Sequence, residues 1–448
     1  MAEQFMTMGA SDRFFYYALT GRSTLNERFM LQFREDYDTD AMKEAADEAL
    51  VHIPEFNKHI VIYKGKPEAV TGSGDVAFIP YRKDTPVQFG TEQTNGLLFY
   101  FLCNGRTLIM SVFHGLTDAF GIRYFLRMML YFYLKKKGLF LDAEDEADAM
   151  TDLVFDPDPL TGGESGDRLM PYETCGDSQA QPEWQYENPG AFAIPETPYE
   201  ETCDYVHFCR IEASMADFMK ARDEAGVSSM PFAADLAAKA ISEAYSCADS
   251  TIMVMSAINQ RKNLGAHTLV NCSDSIFLPY SAQLRQQDVQ HRCAELRDLM
   301  KRQFEPALHR KMAGDKVQMV RQFEQAPEGC AAFAKRLEQI PPASHFNPMT
   351  MVMTYVGDLS MGKAADRLLE DASAETSARA AYALVSSFGD HLHLFVGNRS
   401  DSCQLAEGIT AQCGQRGIRA ELVTSGHLYG DTFQYEAIQT INESEETV

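Results

Sequence analysis

The run from Thr107 to Leu134 constrains the fold most. Leu108 to Phe113 is almost wholly apolar and bounded by polar residues, the mark of a buried strand. Ile122, Phe125, Leu126, Met129, Leu130, Tyr133 and Leu134 recur at helical spacing, with Arg123 and Arg127 off that stripe, so an amphipathic helix follows. Between them His114-Gly-Leu-Thr-Asp118 has to turn the chain within a few residues, which holds a polar pair rigidly at the edge of a core. A histidine is the side chain whose ordinary pKa lies nearest neutrality, so His114 can take a proton from a hydroxyl, amine or thiol. Asp118 can orient the ring, or turn away and pair with an arginine. The plainer alternative is that Asp118 caps the helix and His114 is a satisfied buried histidine. With 11 histidines in the chain, about one His-x-x-x-Asp spacing arises by chance. The strand, turn and helix around it, not the spacing, make this turn the candidate active site.

The rest of the chain reads as alternating strands and helices in two parts. Phe29 to Phe33 alternates like a strand, and Asp38 or Asp40 stands where it can cap an Ala- and Glu-rich helix running to Val51. His59 to Lys64 is a strand, and Gly96 to Phe113 a hairpin turning at Asn104-Gly105. Residues 142–200 are acidic, carry Pro157, Pro159, Pro171, Pro182, Pro189, Pro195 and Pro198, and show no sustained periodicity, so they read as a linker or covering loop. Beyond it come a strand over Tyr205 to Ile211, a helix from Ser214 ended by Gly226, and an Ala-rich helix over Ala233 to Ala244. A buried strand from Thr251 ends at Asn259-Gln-Arg-Lys262, helices follow over Gln290 to Phe304 and Asp315 to Gln325, and a strand over Met349 to Asp358 comes next. A hairpin turning at Gly389-Asp390 and a closing helix over Leu405 to Arg416 complete the reading. The division expected is 1–141, 142–200 and 201–448.

At 448 residues, two packed halves are the natural prior. The net charge of −24 argues against general nucleic-acid binding. No apolar run is long enough for a membrane span, and Met1 to Ala10 has no leader pattern, so cytoplasm is the expected compartment. The 10 cysteines are scattered without a CxxC pair, which favours reduced core thiols over a disulfide framework. His391 and His393 share one face of a strand, but no third ligand is identifiable and no metal is expected. No phosphate-binding glycine loop and no Gly-x-Ser-x-Gly elbow is present.

His114-Gly-Leu-Thr-Asp118 with Gly121 resembles the His-x-x-x-Asp-Gly signature of the chloramphenicol-acetyltransferase-like superfamily, which includes condensation domains and the alcohol acetyltransferase-like proteins of bacteria. Ala257-Ile-Asn-Gln-Arg-Lys262 is similar to the strand end where members carry an Arg, Asn271 falls where the bacterial subgroup carries an Asn, and Thr354-Tyr-Val-Gly-Asp358 resembles a strand-end motif of that subgroup. The resemblance spans roughly residues 12 to 430. It implies two α/β sandwich halves arranged as a V-shaped pseudo-dimer with an interfacial tunnel. It implies further an acyl-CoA-dependent O- or N-acyltransferase, with a phosphopantetheinyl carrier as the other possible donor and a small alcohol or amine as acceptor. On this reading His114 is the general base, Asp118 is structural and paired with Arg261, and the Ala119 N–H is an oxyanion donor. Asn259, Asn271, Tyr355, Gly357 and Ser386 line the tunnel; core packing is the alternative for Ser386. No bound cofactor is implied, and the chain is expected to be a monomer. Ala119 replaces the family's Gly, so a positive φ there would cost about 1 kcal/mol; a degraded, non-catalytic binding protein is the corresponding alternative. Phe113 replaces the first His of the doubled form, which weakens a peptide-condensation reading, although a condensation-type enzyme served by a separate carrier protein remains the third possibility.

Overall fold

In a computed structural model, the chain is described at residues 5–6, 8, 10–18, 26–81, 86–153, 191–195, 205–247, 249–264, 268–325, 349–377, 381–398, 400, 402–429, 431 and 440–441. Three sheets organise these residues. The strand Thr107–Phe113 lies in a five-stranded sheet whose order is Leu369–Thr376, Asn26–Phe33, Thr107–Phe113, Phe99–Asn104 and Phe78–Pro80. A seven-stranded sheet runs Ser273–Tyr280, Ile252–Asn259, Met351–Asp358, Tyr382–Phe388, His391–Asn398, Tyr205–Ser214 and Ala420–Tyr429. A four-stranded sheet joins Phe5–Met6, Lys66–Thr71, Lys58–Tyr63 and Thr440–Ile441.

The helix after the candidate site, Ala119–Lys137, is buried over most of its circumference, which is more than an amphipathic stripe requires. Phe125 explains why. Its ring packs edge-on to Phe99 of the sheet at 5.1 Å and stacks on Phe56 at 5.4 Å. The helix Thr39–His52 covers the helix Ala119–Lys137, and its Ala41, Ala45, Ala46 and Ala49 are small enough to bring the two backbones close. Asp38 caps the helix Thr39–His52 by accepting from Ala41 N–H at 3.1 Å.

The seven-stranded sheet has two different faces, because side chains alternate along a strand. Met351, Met353, Ala383, Val385, Cys209 and Ile211 pack under the helices Ser229–Ala244, Val289–Gln303 and Gln404–Gln415. Val352, Tyr382, Leu384 and Phe395, one position out of phase, join the core of the five-stranded sheet instead. The two sheets therefore share one apolar seam. On the helix side, Asp235 is fully buried and compensated by Arg292 (2.7 and 3.1 Å), Arg416 and the Tyr280 hydroxyl.

Several sequence expectations change. Residues 142–200 do not begin as a loop: Asp142 caps a helix over Ala143–Met150, and Asp145 takes two bonds from Arg367 at 2.9 and 2.6 Å. Most of the remaining Pro-rich stretch lies outside the described residues. The division at 141 and 201 is crossed, because Leu369–Thr376 from the later part forms an edge of the five-stranded sheet against Asn26–Phe33. That strand, together with Ser273–Tyr280 and Ala420–Tyr429, was not expected; it reads Leu-Glu-Asp-Ala-Ser-Ala-Glu-Thr, small and polar, without an apolar alternation to announce it. The helix Gln404–Gln415 is thus not the last element, and the helix expected from Asp315 begins at Pro306. The hairpin loop is Gly105-Arg106, one residue later than expected, with Gly105 at φ 55°.

A buried charge network ties the later strands to the first sheet. Asp431 accepts from Asn26 Nδ2 (2.7 Å), Ser111 Oγ (2.6 Å) and Arg28 Nη2 (3.2 Å), and Arg28 faces Glu375 at 3.8 Å. Removing one member of such a network strands the others in low dielectric. Asp431→Ala is expected to lower stability by about 3 kcal/mol, read from urea unfolding; a loss below about 1 kcal/mol would show the network to be dispensable.

Candidate active site

His114 leaves the end of the strand Thr107–Phe113 and is 7% exposed. The chain from Gly115 to Asp118 is held by the segment 268–272, far along the sequence. Thr117 and Val270 form an isolated antiparallel bridge, and Thr117 Oγ1 donates to Leu269 O. Asn271 Nδ2 donates to His114 O at 2.6 Å and to Thr117 O at 3.4 Å, while its Oδ1 accepts from Ser273 N–H at 2.8 Å. Gly121 is needed for this approach: a Cβ there would stand 2.0 Å from Thr117 Oγ1 and 2.4 Å from Leu269 O.

Asp118 does two jobs with two oxygens. Oδ1 caps the following helix by accepting from Phe120 N–H (3.2 Å) and Gly121 N–H (3.4 Å). Oδ2 accepts from Arg261 Nη1 at 2.8 Å and Cys272 N–H at 2.9 Å. Arg261 also donates from Nε to Thr268 O and from Nη2 to Val270 O, both at 2.7 Å, and its guanidinium lies 4.6 Å from the Phe120 ring centroid. A fork of fixed donors suits this site in a way that a lysine's single ammonium would not.

Sequence reasoning missed Glu27. It lies at the start of the strand Asn26–Phe33, opposite Val112, and its Oε1 stands 3.5 Å from His114 Nδ1. It is 6% exposed, and its Oε2 has no hydrogen-bond partner among the described residues. Burial pushes the Glu27 carboxyl pKa up; His114 draws it down and Asp118 pushes it up again. Tyr382 lies near enough for the Glu27 charge to add to the rise that burial causes in its phenol. The Tyr382 hydroxyl is 2.8 Å from Thr354 Oγ1. Phe15 closes another side of the imidazole, edge-to-face at 5.2 Å between ring centroids.

The other expected residues fall in different places. Ala119 is the first residue of the helix Ala119–Lys137 and has no positive φ, so the strain expected from replacing Gly does not arise. Its N–H is one of the donors a helix start leaves without an intrahelical acceptor. Asn259 serves Arg261, its Oδ1 accepting from Arg261 N–H at 2.9 Å and Nη1 at 3.3 Å. Tyr355 projects to the helix-covered face, whereas its neighbour Thr354 faces the seam. Gly357, with φ +88°, pairs with Ser386 just past a bulge between Tyr355 and Gly357. Ser386 is buried and its Oγ accepts from Ala374 N–H at 3.3 Å, a link between the two sheets. His393 is bonded to Asp371 at 2.8 Å, beside His391.

The raised Glu27 pKa carries a sign. The folded carboxyl holds its proton to higher pH than the unfolded one, so folding is favoured at low pH and that advantage is lost as pH rises through the Glu27 titration. Glu27→Gln removes the buried charge. It is expected to be more stable than wild type at neutral pH, with the gap closing below about pH 4; thermal unfolding across pH measures it, and a pH-independent gap would contradict it.

No protein-family model and no curated protein matches the sequence. Solved structures do match the fold. Polyketide synthase associated protein 5 from Mycobacterium tuberculosis aligns over 92% of this chain and 99% of its own with TM-score 0.58 and 15% identity. The epimerization domain from the third module of tyrocidine synthetase B aligns over 92% and 96%, with TM-score 0.61 and 10% identity. F. graminearum TRI101, solved in complex with coenzyme A and T-2 mycotoxin, aligns over 93% and 99%, with TM-score 0.58 and 8% identity. Nearly the whole of this chain and of each neighbour is aligned. The chain shares its fold with these solved structures.

Proposed function

We propose that this protein is an acyltransferase that moves an acyl group from a thioester, acyl-CoA or a phosphopantetheinyl carrier, to the hydroxyl or amine of a small acceptor. The observation that carries this reading is the buried His114 imidazole, whose Nδ1 faces Glu27 and whose turn is fastened to the opposite sheet through Asp118 and Arg261. Nε2 is the nitrogen left for substrate. In the step proposed, His114 Nε2 takes the acceptor proton as the acceptor oxygen or nitrogen attacks the thioester carbon. The tetrahedral oxyanion collapses, the C–S bond breaks, and the imidazolium returns its proton to the leaving thiolate. The products are the acylated acceptor and a free thiol, with no acyl-enzyme.

Within this scheme Asp118 does not touch substrate. Both of its oxygens are used by the turn and Arg261, so it is a positioning residue. Glu27 is the charge that the imidazolium meets on its Nδ1 side, and it stabilises that cation as the proton arrives. Ala119 supplies a backbone donor at the start of a helix, where developing negative charge is favoured. The V-shaped pseudo-dimer and its tunnel belong to the same proposal: the seam shared by the two sheets is where thioester and acceptor would meet. Gly357 and Ser386 stay as tunnel candidates at the sheet junction, while the Thr354 and Tyr382 hydroxyls replace Tyr355 as the polar groups on that side.

The test is thiol release from a panel of acyl-CoAs, and of acylated carrier protein, with small alcohols and amines. His114→Ala is expected to lower kcat by roughly 100- to 10,000-fold with unchanged folding; unchanged thiol release would remove the general base. Release from the carrier alone would make the donor a carrier-bound thioester. Glu27→Gln is expected to leave KM near wild type, lower kcat and move the pH profile. An unmoved profile would reduce Glu27 to packing.

A further inference from the structure

Donor atoms of the kind that bind soft metals converge at one end of the seven-stranded sheet. His207 and Cys209 are two residues apart on the strand Tyr205–Ser214, so their side chains leave the same face, the one covered by helices. Cys403 meets them from the N-cap position of the helix Gln404–Gln415. One donor atom from each of the three lies within 4.8 Å of the others, and Cys209 Sγ is 2.9 Å from Cys403 Sγ. Both cysteines are free thiols. His427 stands directly across from His207 on the strand Ala420–Tyr429, with ring centroids 5.8 Å apart.

The loop that delivers Cys403 is braced. Asn398, the register partner of His207 on the other side, donates from Nδ2 to Ser402 O at 2.9 Å, and its Oδ1 accepts from Ser400 N–H at 2.8 Å and Ser400 Oγ at 3.2 Å. Such outer contacts hold the backbone that carries a ligand. We propose that His207, Cys209 and Cys403, completed by His427, form a binding site for one zinc-class metal ion.

The ligand chemistry supports this choice. Two thiolates neutralise a divalent ion, so the assembly can sit at a largely buried position without an uncompensated charge. Thiolate and imidazole donors favour zinc over magnesium or calcium. Uptake then releases one proton from each cysteine to solvent as two metal–sulfur bonds form, and binding tightens with rising pH. Tetrahedral coordination with metal–sulfur bonds of about 2.3 Å sets the sulfurs about 3.8 Å apart, so the two thiols part by about 1 Å. The ion would clip the strand Tyr205–Ser214 to the helix Gln404–Gln415, elements far apart in sequence.

The test uses the full chain, prepared reduced and stripped with chelator, then titrated with Co2+ as a spectroscopic probe and with Zn2+. Wild type is expected to give a thiolate-to-cobalt charge-transfer band, displaced by about one equivalent of Zn2+, and Zn2+ is expected to raise its thermal midpoint. Cys403→Ser is expected to abolish the band, and His207→Ala to weaken Zn2+ binding at least tenfold. Cys247→Ser, a buried cysteine outside the cluster, is expected to keep both. Because the metal-free midpoint of each variant is measured in parallel, misfolding is separated from lost ligation. Absence of the band in wild type, an unchanged band in Cys403→Ser, or a Cys209–Cys403 disulfide recovered from reduced protein would overturn the proposal.

Discussion

The ion pair between Asp118 and Arg261 is the contact on which the candidate site rests. Asp118 spends one oxygen on the helix Ala119–Lys137 and the other on Arg261 and Cys272 N–H. Arg261 gives its other hydrogen bonds to Thr268 O, Val270 O and Asn259 Oδ1. A buried pair of this kind is not itself a large source of stability, because desolvation offsets much of the attraction. Its effect is geometric. These bonds fix the turn carrying His114 relative to the segment just after the strand Ile252–Asn259, and a lone Asp118 or Arg261 there would be an uncompensated charge.

Side-chain alternation in the seven-stranded sheet decides what reaches His114. One face is committed to its own helices, the other to the core of the five-stranded sheet. A polar residue on the second face, such as Thr354 or Ser386, is therefore held at the seam, and each makes a bond there. Glu27 is the exception. Its second oxygen has no hydrogen-bond partner among the described residues in a buried position, a costly arrangement in a folded chain unless the charge is used. The cost makes sense if the carboxylate serves an imidazolium that exists only while His114 holds a proton.

The local grammar of the sequence was enough to find the strand, turn and helix around His114, because their apolar periods change abruptly between Phe113 and Ile122. The ion pair itself needed the family resemblance, since Arg261 is far along the chain and many arginines were available. Tyr355 shows where the reading stopped. A strand's two faces differ by one residue, and without the partner sheet no local feature says that Thr354, not Tyr355, looks into the seam. Glu27 was illegible for a related reason: it sits two positions ahead of the alternating run from Phe29 to Phe33, and its partner comes from another strand. The strand Leu369–Thr376 was missed because its small polar residues pack at a sheet edge that the earlier part of the chain supplies. Cys209 and Cys403 likewise meet only in three dimensions, so scattered cysteines gave no hint of a cluster.

The central claim is that His114 at the seam is where a thioester and its acceptor meet. A crystal structure with a non-hydrolysable acyl-CoA thioether and a bound alcohol tests it most directly. The account predicts the acceptor oxygen within hydrogen-bond reach of His114 Nε2 and about 3–3.5 Å from the carbon that replaces the thioester carbonyl. Ligand density away from the seam, or an acceptor that never approaches His114, would contradict it.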